Sequence, residues 1–446
     1  MKTIIEGKQS ISGLWGKQLP ENKAYRIMKY TLSTECEDGI LMYNVVTGEL
    51  ALISSEEKKA LEDLPSLPVN ELKMLISHHF IVPEEFDEKE SVHQLRNILK
   101  RLQYTDAITS YTILPTTGCN AKCYYCYESD FPHVTMSCEV ADQIVEYIAN
   151  HCGKEKKVNL HWFGGEPMVA KERINQICEG LLSKGIDYKS RMTSNASLFS
   201  EDVARHARKK WHLYEIQITL DGTEKVYNKT KAYVGLTKSP FKTVIDNIGY
   251  LLAQKVYVII RLNIGLQNIE DLQTLVRELA NQFRGNTYLS VYPGILFENA
   301  GFEGMRYSDR MWEILCWAKI HLEKIISEEG LYSKKKRTLP QLEISHCMAD
   351  NDKTVLISPL GELGKCEHAV FDQLVGSVFS KKLDNEEVKN WKTIHSWIEC
   401  ENCCLYPKCV MLERCENLTP CKSISFEDEI AKIKTEMIKQ YRCIKD

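Results

Sequence analysis

Three cysteines, Cys119, Cys123 and Cys126, stand within a single eight-residue stretch of this 446-residue chain. Nine more fall between Cys347 and Cys443, out of seventeen in all. The other five, Cys36, Cys138, Cys152, Cys178 and Cys316, are scattered singly and read as small buried apolar residues. The start, MKTIIEGKQSISG, lacks the long apolar segment of an export signal, so a disulfide framework is not expected. Clustered thiols in a reducing compartment point to metal. A loop with three thiolates can wrap one face of an iron-sulfur cubane and leave one iron without a protein ligand. A structural zinc site normally takes four protein ligands, so it fits three less well.

The bulk numbers agree with a soluble metalloenzyme. The chain is 43% hydrophobic with a formal net charge of −4, enough for two or three domains with real cores. Nothing global invites nucleic acid or an anionic membrane. The basic run Lys334-Lys335-Lys336-Arg337 reads as a solvated linker. No stretch reaches the roughly 20 apolar residues of a membrane span, and a cytoplasmic location is expected.

The elements that must position the thiols follow from periodicity. Residues 1–105 form a first unit: β-formers at Lys29–Thr34, Ile40–Asn44 and Glu49–Ile53, then helices beginning at Ser54-Ser55-Glu56-Glu57 and over Pro68–His79, and a bridging helix in Glu84–Leu102. Residues 106–310 alternate. Strands are expected at Tyr111–Leu114, Val158–Trp162, Lys189–Thr193, Glu215–Thr219, Val256–Asn263 and Tyr288–Pro293. Helices fall between them at Cys138–His151, Ala170–Lys184, Ser200–Lys209, Phe241–Gln254 and Ile269–Gln282. Such alternation predicts a parallel sheet backed by helices, with the chemistry at the carboxyl ends of the strands. Residues 311–446 begin in a helix, Ser308–Glu329, turn cysteine-rich and loop-like with short strands at Thr354–Ser358 and Gly361–Lys365, and end in a helix over Phe426–Arg442.

The cysteine loop closely follows the first of these strands, with the aromatic Tyr125 just before its third cysteine. The second strand ends in Phe163-Gly164-Gly165-Glu166-Pro167, the third in Thr193-Ser194-Asn195-Ala196, the fourth in Thr219-Leu220-Asp221-Gly222. In these motifs the chain closely resembles the radical S-adenosylmethionine (SAM) superfamily. The resemblance implies a partial (β/α)6 barrel core and a [4Fe-4S] cluster on Cys119, Cys123 and Cys126. The open iron would bind the amino and carboxylate groups of S-adenosyl-L-methionine and pass an electron to its sulfonium. Tyr125 would then touch adenine, Gly164, Gly165 and Glu166 the ammonium, and Ser194 and Thr219 the ribose or carboxylate region. Relatives commonly carry an arginine twelve residues past the Thr219 position to pair with the carboxylate; here it is Lys231, which keeps the charge but not the bidentate geometry. Arg261 is another candidate, explained equally well by a structural ion pair.

The later cysteines resemble a SPASM domain, the extension that holds two auxiliary clusters in radical SAM peptide and protein maturases. Cys347, Gly361 and Cys366 give C-x13-G-x4-C, and Cys400, Cys403 and Cys409 give C-x2-C-x5-C. Cys415 arrives two residues later than the family pattern. The resemblance implies Cys347, Cys366 and Cys415 for the nearer cluster and Cys400, Cys403, Cys409 and Cys421 for the farther one. A fourth ligand of the nearer cluster would be Cys404 or the substrate. Paired zinc ribbons fit nine such cysteines poorly. The first unit resembles winged-helix-like domains that bind a leader peptide by strand addition.

The expectation is a radical SAM oxidoreductase acting on a ribosomally made precursor peptide with a leader. It would install a crosslink, most readily a cysteine sulfur-to-carbon thioether, with carbon-carbon or ether linkage next. A sulfatase-maturing enzyme is a second reading, weakened by Tyr227-Asn228 and Lys231 where that family carries His-Asp and then Arg. A non-catalytic peptide-binding adaptor is the reading from another class. Flavodoxin or ferredoxin is the expected electron donor, and no nucleic acid or membrane partner is expected.

Overall fold

The computed structural model describes residues 1–8, 11, 24–54, 57, 61, 69–235, 239–296, 308–331, 338–345, 347–380, 383–396, 398–414 and 423–445. Cys415, Cys421, the basic run 334–337 and much of the helix expected from Ser54-Ser55-Glu56-Glu57 lie outside them. The chain forms two compact units: residues 1–104, 336–347 and 393–446, and residues 105–335 and 348–392. The units are therefore not co-linear with the sequence.

In the first unit, β1 (Lys2–Ile5), β3 (Thr31–Cys36), β4 (Gly39–Asn44) and β5 (Leu50–Ile53) make an antiparallel sheet in the order β1-β5-β4-β3, while β2 (Tyr25–Ile27) pairs with β6 (Ile81–Pro83). Alternation sorts the side chains. Ile40, Met42, Ala51 and Ile53 pack with Leu75, Phe80 and Ile81 on one side, and Leu32, Leu41, Tyr43 and Leu50 join a second core. That second core contains Val92 and Leu95 from the bridging helix α2 (Glu88–Leu102), which follows the short helix α1 (Val69–Ser77). It also holds Leu405 and Tyr406 and, from the C-terminal helix Ser423–Lys445, Ile433, Met437 and Tyr441. Shared apolar burial thus joins the two ends of the chain. Arg442 reaches Glu37 through Nε (3.2 Å) and Nη2 (3.1 Å), closing that helix onto the β3–β4 turn.

The second unit carries the alternating pattern. Its strands are β7 (Ser110–Thr116), β8 (Lys157–Gly164), β9 (Asp187–Ser194), β10 (Leu213–Leu220), β11 (Tyr257–Ile264) and β12 (Leu289–Ile295), all parallel and neighbours in chain order. Each strand has one face buried, as in β9, where Tyr188, Ser190, Met192 and Ser194 are covered and the residues between are not. The helices between them are α3 (Cys138–His151), α4 (Lys171–Ser183), α5 (Glu201–Lys210), α6 (Glu224–Lys231), α7 (Pro240–Ala253) and α8 (Ile269–Phe283). Serine caps start two of them: Ser137 accepts from the Val140 N–H, Ser200 from the Val203 N–H. Helix α9 (Asp309–Glu328) follows β12, and β13 (Thr354–Ile357) then extends the sheet, parallel to β7. The hairpin partners β14 (Glu362–Gly364) and β15 (Gly376–Ser377) complete a nine-stranded sheet.

Helix α6 and strand β1 are additions to the elements expected from sequence. Helix α6 is short and polar, EKVYNKTK, and buries only Tyr227 and Lys231, so it has almost no apolar stripe to announce it. Its amphipathic signal is a buried lysine.

Candidate active site

The motifs of the alternating stretch, from the Cys119–Cys126 loop to Arg261–Asn263, sit at the carboxyl ends of β7 to β11, because parallel strands in chain order bring those ends to one edge. The cysteine loop leaves β7 through Thr116, whose hydroxyl accepts from the Gly118 N–H (2.9 Å). A turn closes it, the Cys126 N–H donating to the Cys123 carbonyl (3.1 Å). The loop is sewn to its neighbours: the Lys122 N–H donates to the Lys231 carbonyl (2.8 Å) and the Val234 N–H to the Asn120 carbonyl (2.9 Å). Asn195 Nδ2 donates to Asn120 Oδ1 (2.9 Å), and Asn120 Nδ2 to Ser197 Oγ (2.9 Å).

The two glycines after β8 seat that loop. Gly164 has φ +111°, and a Cβ there would stand 2.3 Å from the Thr116 carbonyl oxygen. A Cβ on Gly165 would meet the Gly118 carbonyl oxygen at 2.4 Å. Both glycines are needed for this close approach of backbone to backbone. Glu166 is wholly buried. Its Oε1 accepts from Ser194 Oγ (2.8 Å) and the Met168 N–H (3.1 Å), its Oε2 from the Asn195 N–H (2.7 Å). Burial pushes this carboxyl up from its ordinary range, against these hydrogen bonds. Ser194 Oγ also accepts from the Ala196 N–H (2.9 Å), so both Ser194 and Glu166 are committed to tying β9 to the Gly-Gly turn.

A second network lies beneath Tyr125. Lys231 Nζ donates to Thr219 Oγ1 (2.7 Å) and Tyr125 Oη (2.9 Å) and lies 3.1 Å from Asp221 Oδ2. Tyr125 Oη donates to Asp221 Oδ1 (2.8 Å), and Asn263 Nδ2 reaches both Tyr125 Oη and Asp221 Oδ1 (3.0 Å each). Desolvation alone would lower the Lys231 pKa, but Asp221 and the Tyr125 phenol outweigh it and hold the ammonium well above the ordinary lysine range. A buried charge is tolerable here because it is paired with Asp221 and hydrogen-bonded to Thr219 and Tyr125. Asp221 and Asn263 escaped assignment in the sequence, although Asn263 sits two residues from Arg261 and hence on the same strand face.

Arg261 stands in register between Thr219 of β10 and Tyr292 of β12, its Nε 2.8 Å from where a Gly294 Cβ would be. The same face carries His161, bonded to Thr193 Oγ1 (3.0 Å), and Gln217, which accepts from Tyr292 Oη (3.0 Å). An inner face of this kind is polar where a packed barrel interior would be branched and apolar.

The donor set fits an iron-sulfur cluster. Cys119, Cys123 and Cys126 are half-buried, and burial pushes Cys119 up to about 12 and Cys126 up to about 11. Without a cation these thiols keep their protons; a bound cluster would draw them off. Among the described residues no three His, Cys, Asp or Glu side chains are grouped as a site for a single metal ion. Cys400, Cys403 and Cys409 are half-buried in the first unit, as is Cys404; Cys347 belongs to that unit and Cys366 to the second.

Fold and site together define an α/β enzyme that holds a three-thiol loop at the carboxyl edge of a parallel sheet. Residues 113–279, from β7 into α8, match the Radical SAM superfamily, a family that uses S-adenosylmethionine and a [4Fe-4S] cluster. No curated protein matches the chain. Among solved structures it is similar to native anSMEcpe with bound AdoMet and Cp18Cys peptide (TM-score 0.56, 16% identity, 76% of this chain and 99% of that one). It is also similar to Streptococcus suis SuiB bound to S-adenosylmethionine (TM-score 0.51, 16% identity, 86% and 94%). SuiB bound to precursor peptide SuiA (TM-score 0.52, 14% identity, 86% and 94%) shares that fold. No helix among the described residues is long and apolar enough to cross a membrane.

Proposed function

We propose that this enzyme modifies a ribosomally made precursor peptide, and that the modification is a crosslink, with a cysteine sulfur-to-carbon thioether first among the products. The observation that carries this reading is the pairing of the Cys119–Cys126 loop with a second cysteine loop, Cys400–Cys409, folded into the same unit as the N-terminal antiparallel sheet. Such a sheet offers edges for strand addition by a leader. The likeness to two proteins solved with peptides bound supports a peptide substrate. Carbon-carbon or ether linkage and sulfatase maturation are the competing products.

When bound, the cofactors supply a 5'-deoxyadenosyl radical that takes a hydrogen from a substrate carbon. The chain's own residues have the positional work. Cys119, Cys123 and Cys126 hold the cluster, with Tyr125 beside it as the adenine platform, braced from below by Asp221, Lys231 and Asn263. Gly164 and Gly165 offer backbone groups to the ammonium, and Glu166 and Ser194 fix that backbone. Thr219 and Arg261 face the carboxylate region. Cys400, Cys403 and Cys409 would hold an auxiliary cluster that accepts the electron left after bond formation.

The test is anaerobic reconstitution, reduction and incubation with S-adenosylmethionine and the co-expressed peptide. 5'-Deoxyadenosine should form, and the peptide should lose two hydrogens with its cysteine blocked to alkylation. No cofactor cleavage would sink the enzymatic reading. A two-hydrogen loss with a free thiol would move the product to a carbon-carbon or ether link.

A further inference from the structure

The C-terminal cysteine loop is wrapped around a positive charge that has no counter-ion among the described residues. Arg96 of α2 is 1% exposed, among the most deeply buried large side chains. Its Nε donates to the Glu343 carbonyl (3.0 Å), and its Nη2 to the carbonyls of Tyr406 (2.7 Å), Pro407 (2.9 Å) and Cys409 (2.9 Å). The guanidinium lies 5.1 Å from the centre of the Tyr406 ring, which stacks in turn on Tyr30. Its Nη1 is buried with no hydrogen-bond partner, and no carboxylate bonds to or pairs with Arg96 among the described residues.

Two other buried charges of the fold have a partner of opposite sign. Glu88 is paired with Arg26 and Lys231 with Asp221. Carbonyl dipoles solvate a cation but do not neutralise it, and an unpaired buried ion is costly. If clamping the loop were all that was needed, a neutral amide would donate to the same carbonyls without that cost. The charge must answer an anion. The groups at hand are the loop's own thiols: Cys409, whose carbonyl the guanidinium holds, and Cys400 and Cys403, which pack against the same core. An iron-sulfur cubane ligated by thiolates is net negative, and nearby charge and hydrogen bonds set its potential.

We propose that Arg96 is the counter-charge of an iron-sulfur cluster held by Cys400, Cys403 and Cys409, placed by the bridging helix to raise that cluster's reduction potential. This rests on the reading that the loop binds a cluster. The side chain is a positioning and tuning residue and touches no substrate.

The experiment uses the full chain with Cys119, Cys123 and Cys126 changed to alanine, so that the remaining iron belongs to the C-terminal loops. Arg96→Gln keeps donors for the carbonyls without the charge; Arg96→Lys keeps the charge. After anaerobic reconstitution, iron is counted and the cluster signal is titrated against potential by electron paramagnetic resonance. Arg96→Gln should move the midpoint potential negative and Arg96→Lys should hold most of the parent value. The rise in melting temperature on reconstitution should shrink in Arg96→Gln and persist in Arg96→Lys. An unmoved potential at full iron content overturns the proposal. So does an Arg96→Gln variant that loses the same stability before and after reconstitution, or fails to fold before it. A parent chain that binds no iron defeats the cluster reading itself.

Discussion

Lys231, twelve residues past Thr219, has its side chain turned into the protein. It is almost wholly buried, and its ammonium is spent on Asp221, Thr219 and Tyr125. Replacing it with methionine should leave the Asp221 carboxylate buried with no cation, which costs about 3–5 kcal/mol. Urea denaturation of the metal-free protein measures this. The double variant Lys231→Met/Asp221→Asn should regain part of the loss, since the two residues are in direct contact. If the single variant loses no stability, the ion pair is not a brace. The three-cysteine loop was legible because thiol spacing along a chain is a local property. The partners of Lys231 were not, since they come from the loop after β7 and from the end of β10.

At the scale of the element, the turn after β8 decides where the cysteine loop lies. Alanine at Gly164 would force a Cβ to 2.3 Å from the Thr116 carbonyl at φ +111°. The expected cost is about 1–3 kcal/mol of strain, with loss of iron from the first cluster as the loop base is pushed away. Gly185, with φ +68° and nothing within 4 Å, is the control. Gly185→Ala should cost no more than about 1–2 kcal/mol and leave the iron content unchanged. Equal iron loss in both would separate the Gly164 turn from cluster binding. The six parallel strands were readable as short runs of β-formers between helices of ordinary length, with covered and uncovered residues alternating in strands such as β9. Helix α6 was missed because eight mostly polar residues with two buried positions carry no periodic apolar signal.

For the whole molecule, the two ends of the chain form one unit, and the cysteine loop Cys400–Cys409 shares a core with the sheet proposed to receive a leader. A leader bound at that sheet contributes binding and not chemistry. A precursor without its leader should therefore raise KM by about tenfold or more while kcat stays within about twofold. Initial rates of peptide modification by mass spectrometry would show this. A fall in kcat at unchanged KM would remove the leader role from the sheet.

By itself the sequence determined the ligand-bearing loop, the order of strands and helices and the glycines and polar residues at the strand ends, because each is written in neighbours or in a short period. Only the tertiary structure decided what those residues are bonded to. It placed β13, from residues 354–357, on the edge of β7. It turned Glu166 and Ser194 toward each other and set the Arg96 guanidinium against a loop more than three hundred residues away. A buried charge or carboxylate must be satisfied within hydrogen-bond reach, and that reach is set by which elements pack together, not by their distance along the chain.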